Sequence, residues 1–308
     1  MRFRPRTFVL LTACALMGAG CWYAPESQNA KQKTQNQSSD FSFFTLRPAE
    51  VRSIDADRFA IPELDGQATR RLTGEDTFVC GAFRAGIVNH HVLASDLLAG
   101  FFRVLKRCRP DLSRFIILSP DHNLAAQSTA VTHRLPYRAG GRDIASDAEA
   151  VARLVETVPF VREQSALFER EHGVGALVPF LADAFPDAAL VPVVLRQSST
   201  AAERERLAVW LADESNDPAT FIVVSADMSH YLSEQRAKSK DQFTKRALET
   251  GDEAFFQTTK DDFTDNGKSI AIVLEALPKT KWTPLGESIS SAYTGSSLFT
   301  TTYLVGFW

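Results

Sequence analysis

Three apolar runs in this chain end abruptly in residues that could do chemistry. "GIVNHH" ends in His90 and His91, "FIILSPDH" in Asp121 and His122, and "FIVVSADMSH" in Asp227 and His230. The chain holds only six histidines in all, the others being His133 and His172. Imidazole binds zinc, copper and iron, and two or three rings with a carboxylate or water make an open catalytic metal site. Asp121 and Asp227 stand one and three residues from His122 and His230, close enough to orient a ring or take a proton. A single His at a strand end is ordinarily a hydrogen-bonded loop residue. Three successive ones predict a shared polar site, with His91 and His172 close by. His133, in "AVTHRLPYRAGG", has no partner in view and reads as a loop residue.

Other chemistries lack their residues. No Ser sits between glycines after a strand, so a nucleophile elbow is absent. Neither a G-x-G-x-x-G loop, a Walker loop nor H-E-x-x-H occurs. Ser229 beside His230 is a poor nucleophile, because adjacent residues rarely aim their side chains at one another. A formal charge of −3 leaves no electrostatic footprint for nucleic acid.

The elements that must position these residues alternate along the chain. "AGIV", "RFIILSP", "AALVPVVL" and "FIVVSA" read as buried strands. "ASDLLAGFFRVLKR" repeats its apolar residues at helical spacing. "SDAEAVARLVETV" reads as a helix opened by a Ser146–Glu149 capping box, and "TAAERERLAVWLADE" as one opened by Thr200 and Glu203. "GALVPFLADAF" is expected to be helical with Pro179 in its first turn, and "SIAIVLEAL" helical too. "SEQRAKSKDQFTKR" reads as a solvated helix face, and the tail "SSAYTGSSLFTTTYLVGFW" as two strands that pair. Ile- and Val-rich strands flanked by helices predict an α/β fold with a mixed, mostly parallel central sheet. In such sheets ligands sit beyond the carboxyl ends of the strands, where the Ser, Asp and His clusters fall.

The N-terminus reads as an address. "MRFRPR" carries three Arg, and the apolar run that follows, about 14 residues, is too short to span a bilayer. Residues 1–20 are expected to be a lipoprotein signal peptide, with Cys21 the lipidated residue and Cys14 of "LTAC" its rival. Residues 21–40 read as a flexible polar tether, and 41–308 as one α/β domain. The expected location is the bacterial cell envelope, with a lipid anchor in the membrane. Cys80 and Cys108 remain in the folded part, as a disulfide or as two separate buried thiols.

With these motifs in hand, the chain resembles the Memo family, also called AmmeMemoRadiSam system protein B, from about residue 80 to the C-terminus. "GIVNHHVLAS" resembles the family's strand ending in Pro-His, with Asn89 in place of Pro. "SPDHN" resembles its G-P-x-H element, "EHGVGALVPFL" its E-H-S-x-E-x-Q-L-P-F-L element, and "SADMSHY" its S-S-D-F-S-H-Y element. The C-terminal "YTGSSLFTTTYLVGFW" matches a fifth piece. The resemblance implies a Memo-like fold related to class III extradiol (LigB-like) dioxygenases. It also implies His90 and His122 as ligands of a divalent metal (iron, copper or zinc), and His230, with Asp227, as the acid/base group. The departures are Asn266 in place of the family's Cys, and Gly175 and Leu177 in place of its Glu and Gln. Losing a soft anionic ligand weakens metal binding. Association with a radical-SAM protein, implied by the family's bacterial name, is not carried over to an exported chain.

Two expectations follow. One is an exported Memo-like protein with a His-lined, metal-binding pocket doing redox or oxygenase chemistry on a small molecule. The other is a non-catalytic lipoprotein that binds a ligand or partner in the same cleft.

Overall fold

The computed structural model describes residues 53–60 and 65–308. The expected signal peptide, Cys14, Cys21 and the expected tether lie outside the described residues. No described helix is long and apolar enough to cross a membrane.

In chain order the described strands are β1 (Ile54–Asp55), β2 (Ala85–Val88), β3 (Arg114–Pro120), β4 (Ala130–Thr132), β5 (Tyr137–Ala139) and β6 (Arg142–Ile144). They continue as β7 (Val161–Glu163), β8 (Ala189–Leu195), β9 (Thr220–Ser225), β10 (Thr283–Ile289) and β11 (Thr302–Phe307). Eight of them form the main sheet in the order β10-β11-β2-β9-β3-β8-β4-β7, and β1, β5 and β6 form a small one. The four central strands, β2, β9, β3 and β8, run parallel. Antiparallel pairs occur where β11 joins β2, where β10 joins β11 and where β4 joins β8. The sheet is therefore mixed and mostly parallel at its heart, as the apolar runs predict.

The central strands are apolar through their middles because both faces are covered. Phe115 and Ile117 of β3 pack into one core and Ile116 and Leu118 into the other; Phe221 and Val223 of β9 alternate with Ile222 and Val224 in the same way. The helices Ser95–Cys108 and Val178–Ala184 cover the first face. The helices Ala148–Thr157, Ala201–Glu214 and Gly267–Ala276 cover the second. Each large side chain buried this way contributes about 1.5–3 kcal/mol. Helix Glu234–Thr250 keeps most of its charged residues in water, which suits the solvated face read from its sequence.

Local signals hold at some helix ends and are overruled at others. Thr200 and Glu203 do form a reciprocal capping box. At Ala148–Thr157 the cap is Asp147, whose carboxylate accepts from the Ala150 amide; Ser146 instead hydrogen-bonds the His133 and Leu190 carbonyls. The region around Pro179 divides into His172–Gly175 and Val178–Ala184, with Pro179 in the first turn of the second helix. The tail does not form two paired strands. Ser291–Thr294 is one helical turn, and the partner of β11 is the earlier β10. Strand β10 reads "TPLGESI", and its Pro and Gly hide a strand that survives because it lies at the sheet edge, where a missing N–H goes unnoticed.

Cys80 and Cys108 form a disulfide with a Cα–Cα distance of 5.1 Å, tying the segment before β2 to the end of helix Ser95–Cys108. That helix packs directly on the sheet, so the bridge staples the approach to the strand that carries His90.

Candidate metal centre

Strands β2, β9 and β3 are parallel neighbours, so the residues that follow them emerge at one edge. Asn89, His90 and His91 leave β2, Ala226 to His230 leave β9, and Asp121 and His122 leave β3. The cavity they surround holds about 1020 Å³ and is lined by His90, His91, Asp121, His122, His172, Asp227, His230 and Asp265 among others.

Two rings at its floor are held in defined tautomers. The Ser225 hydroxyl donates to the Gly173 carbonyl at 2.5 Å, so toward His90 Nδ1, 3.0 Å away, it can only accept. The His90 proton therefore sits on Nδ1, and its Nε2 turns a lone pair to the cavity. His122 Nδ1 donates to the buried Glu171 carboxylate at 2.5 Å, which leaves the lone pair of His122 Nε2 free too. Glu171 is itself fixed by the backbone amides of His122 (3.1 Å) and Gly173 (2.9 Å). Gly173 has no alternative: a Cβ there would lie 2.1 Å from Ser119 Oγ and 3.1 Å from His122 Cε1.

The two Nε2 atoms face each other at 3.1 Å. Asp265 Oδ2 lies 3.1 Å from the first and 3.5 Å from the second, buried and without a hydrogen-bond partner. Atoms sharing a small cation at bonds of about 2.0–2.1 Å stand roughly 3.3 Å apart in tetrahedral geometry, so this donor set fits such an ion. Two lone pairs and a carboxylate oxygen at this spacing repel unless a proton or a metal stands with them. Asp227 Oδ2 and His230 Nε2 complete the ring of donors. Asp227 Oδ2 is 3.8 Å from His90 Nε2, and His230 Nε2 is 3.8 Å from Asp227 Oδ2 and 3.8 Å from Asp265 Oδ2. Ligand atoms of His90, Asp227 and Asp265 lie within 4.8 Å of one another, as do those of His90, His122 and His172.

The charges follow from these contacts. Burial opposes protonation of His122, but the Asp265 carboxylate facing it and the Glu171 carboxylate bonded to it outweigh that and raise its pKa to about 10. Burial likewise opposes charge on His90, and the carboxylates of Asp227 and Asp265 overcome it and push the pKa up. Burial would raise Asp265, yet the neighbouring His90 and His122 hold its carboxyl well below the usual range. His172, stacked at 4.0 Å on His122, is lowered to about 4 by burial and by the charge on His90 and His122.

The residues expected in the pocket are not all used alike. Asp227 Oδ1 accepts from the amides of His90 (3.2 Å) and His91 (3.5 Å), pinning the end of β2 beside β9. His230 lies at 3.8 Å from Asp227, beyond hydrogen-bond reach, with its buried Nδ1 unpartnered. Asp121 lines the cavity but spends both oxygens on the Ala125 and Ala126 amides. The His91 ring meets the Tyr303 hydroxyl at 2.8 Å. Asn266 does not line the cavity. Its amide donates to the Leu118 and Ser225 carbonyls at 3.1 and 2.8 Å, clamping β3 to β9 from behind. The anionic donor on this loop is Asp265, one residue earlier, so the Asn in place of a Cys does not leave the pocket without one.

Sequence reasoning missed Asp265 and Glu171. The "TDNG" loop follows no strand, so nothing local marks Asp265. Glu171 opens the "EHGVGALVPFL" match, which is the one signal that could have marked it, but no role attaches to it from sequence. His133 does lie in the loop between β4 and β5, but it is not without partners. It is buried, receives the Leu135 amide at Nδ1 (3.0 Å) and meets the Tyr137 hydroxyl at 3.0 Å through Nε2.

The strand order and the His/Asp ring at the carboxyl edge define an α/β protein with a pocket built at the ends of adjacent parallel strands. The Memo-like protein family profile matches residues 87–304, and the chain belongs to that family. A MEMO1 family protein of Methanobrevibacter smithii is 30% identical over 140 residues, covering 45% of this chain and 50% of the relative. One from Caldivirga maquilingensis is 25% identical over 150 residues, covering 48% of this chain and 53% of the relative. The chain thus spans about half the length of the curated relatives it matches. The crystal structure of an uncharacterised protein from Escherichia coli K12 superposes with a TM-score of 0.50 at 17% identity, covering 71% of this chain and 99% of that one. That likeness concerns the fold alone.

Proposed function

We propose that this chain is an exported, lipid-anchored Memo-family protein that holds a divalent metal between His90, His122 and Asp265 and carries out metal-dependent redox or oxygenase chemistry on a small molecule. The observation that carries this reading is the convergence of two tautomer-locked Nε2 lone pairs and one unpartnered carboxylate oxygen within 3.5 Å. Two imidazoles and a carboxylate with open positions are the donor set of non-haem iron sites. A bound metal would supply an electron-accepting centre beside the substrate. The chain's own part is to hold it and to move protons. Glu171 and Ser225 keep the two rings aimed. His230, between the carboxylates of Asp227 and Asp265, is the group placed to give or take a proton. Export and anchoring at Cys21 are supported by the Arg-rich, apolar N-terminus and by the Cys80–Cys108 bridge, which suits an oxidising compartment.

The test is elemental analysis of the full chain purified without a His tag, beside His90→Ala/His122→Ala. Near-stoichiometric iron, copper or zinc that disappears in the double variant is the expected outcome. No metal in either protein after reconstitution overturns the reading.

One observation favours the second reading, a binding lipoprotein without turnover. Where the resemblance implies Glu and Gln, Gly175 makes room for the Phe59 ring and Leu177 is fully buried in the core. The cavity wall there is apolar and offers no catalytic group. His230→Ala separates the two: it abolishes turnover in an enzyme and leaves ligand affinity nearly unchanged in a binding protein.

A further inference from the structure

The mouth of the cavity differs in character from its floor. Leu124, Tyr231, Leu298 and Phe299 line it, and they are 76, 77, 67 and 77% exposed. They come from three separate loops, following β3, following β9 and preceding β11. Among the described residues, four that are not glycine adopt a positive φ, and three of them are Leu124 (50°), Tyr231 (53°) and Phe299 (54°). A left-handed backbone is unfavourable for large side chains and persists where the surroundings impose it. Here the loops of Tyr231 and Phe299 are tied together by the Thr300 amide, which donates to the Leu232 carbonyl at 2.7 Å. The apolar side chains are held out over the cavity when elementary hydration would favour hiding them.

The charges of the lining point one way. Asp121, Asp227, Asp261 and Asp265 border the cavity, and neither Lys nor Arg does. Two protonated histidines, or a divalent cation in their place, still leave the carboxylates in excess.

We infer that the ligand of this cavity is a molecule with an apolar body and a neutral or cationic polar group, and that anions such as carboxylic acids and phosphate esters are excluded. The apolar body rests against Leu298, Phe299, Tyr231 and Leu124, and the polar group reaches the His and Asp floor. No guanidinium or ammonium waits to receive an anion, and the four carboxylates repel one. A positive group gains both from Asp261 at the mouth and from the faces of Tyr231 and Phe299. The inference rests on this cavity being the ligand site, but not on a metal occupying it.

The test uses three probes of one shape: 1-naphthylmethylamine, 1-naphthalenemethanol and 1-naphthoate, titrated calorimetrically into the full chain. The amine and the alcohol are expected to bind about tenfold or more tightly than the carboxylate. Leu298→Ser/Phe299→Ser is expected to weaken the amine and the alcohol by about tenfold through lost apolar burial. Asp261→Asn is expected to narrow the gap between amine and carboxylate. These side chains are exposed, so the variants keep the core intact, and the circular dichroism spectrum checks that. Equal or tighter binding of the carboxylate overturns the inference, as does an unchanged affinity in the rim variant. Metal content measured on the same preparations keeps the two readings apart: the probe preference without metal upholds this inference while the metal proposal falls, and the reverse pattern does the opposite.

Discussion

At the scale of single residues, the site works through hydrogen bonds that decide which nitrogen of each ring faces inward. Glu171→Gln keeps the shape but removes the anion that draws the His122 proton onto Nδ1. Metal affinity is expected to fall by about 10–100-fold, measured by competition with a chelator of known affinity. Protons compete for the same lone pair. The His122 pKa of about 10 means that a proton must leave for metal to bind across the neutral range. Affinity should therefore weaken as pH falls, by about tenfold per unit for each proton displaced, and calorimetry in buffers of different ionisation enthalpy counts those protons. In the metal-free protein the raised pKa acts in the opposite sense. Its stabilising contribution is full below the unfolded value of 6.5 and is lost as pH rises toward 10.

At the scale of elements, the site depends on three strand ends being held in step. Asn266 does this for β3 and β9 with two hydrogen bonds to strand-end carbonyls. Asn266→Ala leaves both buried carbonyls short of a donor and should cost about 1–3 kcal/mol in urea denaturation. The disulfide does the corresponding work before β2. It closes a loop of 28 residues, and its removal in Cys80→Ser/Cys108→Ser should cost about 2–4 kcal/mol, read from the denaturation midpoint with and without reductant. The reductant arm matters, because it should destabilise the wild type and leave the double variant unchanged.

At the scale of the whole molecule, stability and site meet through titration away from the cavity. His133 is buried against Phe168 and Tyr137, and burial lowers its pKa to about 3. Its Nδ1 already accepts a backbone amide, so a second proton has no place in the native state. As pH falls from 6.5 toward 3 the unfolded chain takes up a proton that the folded one refuses, and stability declines over that window. His133→Gln should flatten the slope of stability against pH there, whatever it does to stability at neutral pH; urea titrations at several pH values give the comparison.

The sequence by itself determined the layers and the end of the sheet at which chemistry gathers. Buried strands need apolar side chains on both faces, so β2, β3, β8 and β9 announced themselves, and an apolar run that stops in His or Asp marks the edge where a strand leaves the core. Family membership was legible for the same reason, since three of the five matching pieces are those strand ends. Only the tertiary structure decided the donor set. Asp265 sits on a loop with no periodic signal, and it is held at the floor because its Oδ1 accepts from the Asp227 amide at 3.1 Å while Asn266 beside it is clamped between β3 and β9. Glu171 and Ser225 became partners of the rings through contacts spanning 49 and 135 residues of chain. Edge strands and caps also escaped, since Pro284 and Ser146 carry local signals that the surroundings overrule. Periodicity reports what a residue faces; which two carboxylates and imidazoles meet is set by the register of strands far apart in sequence.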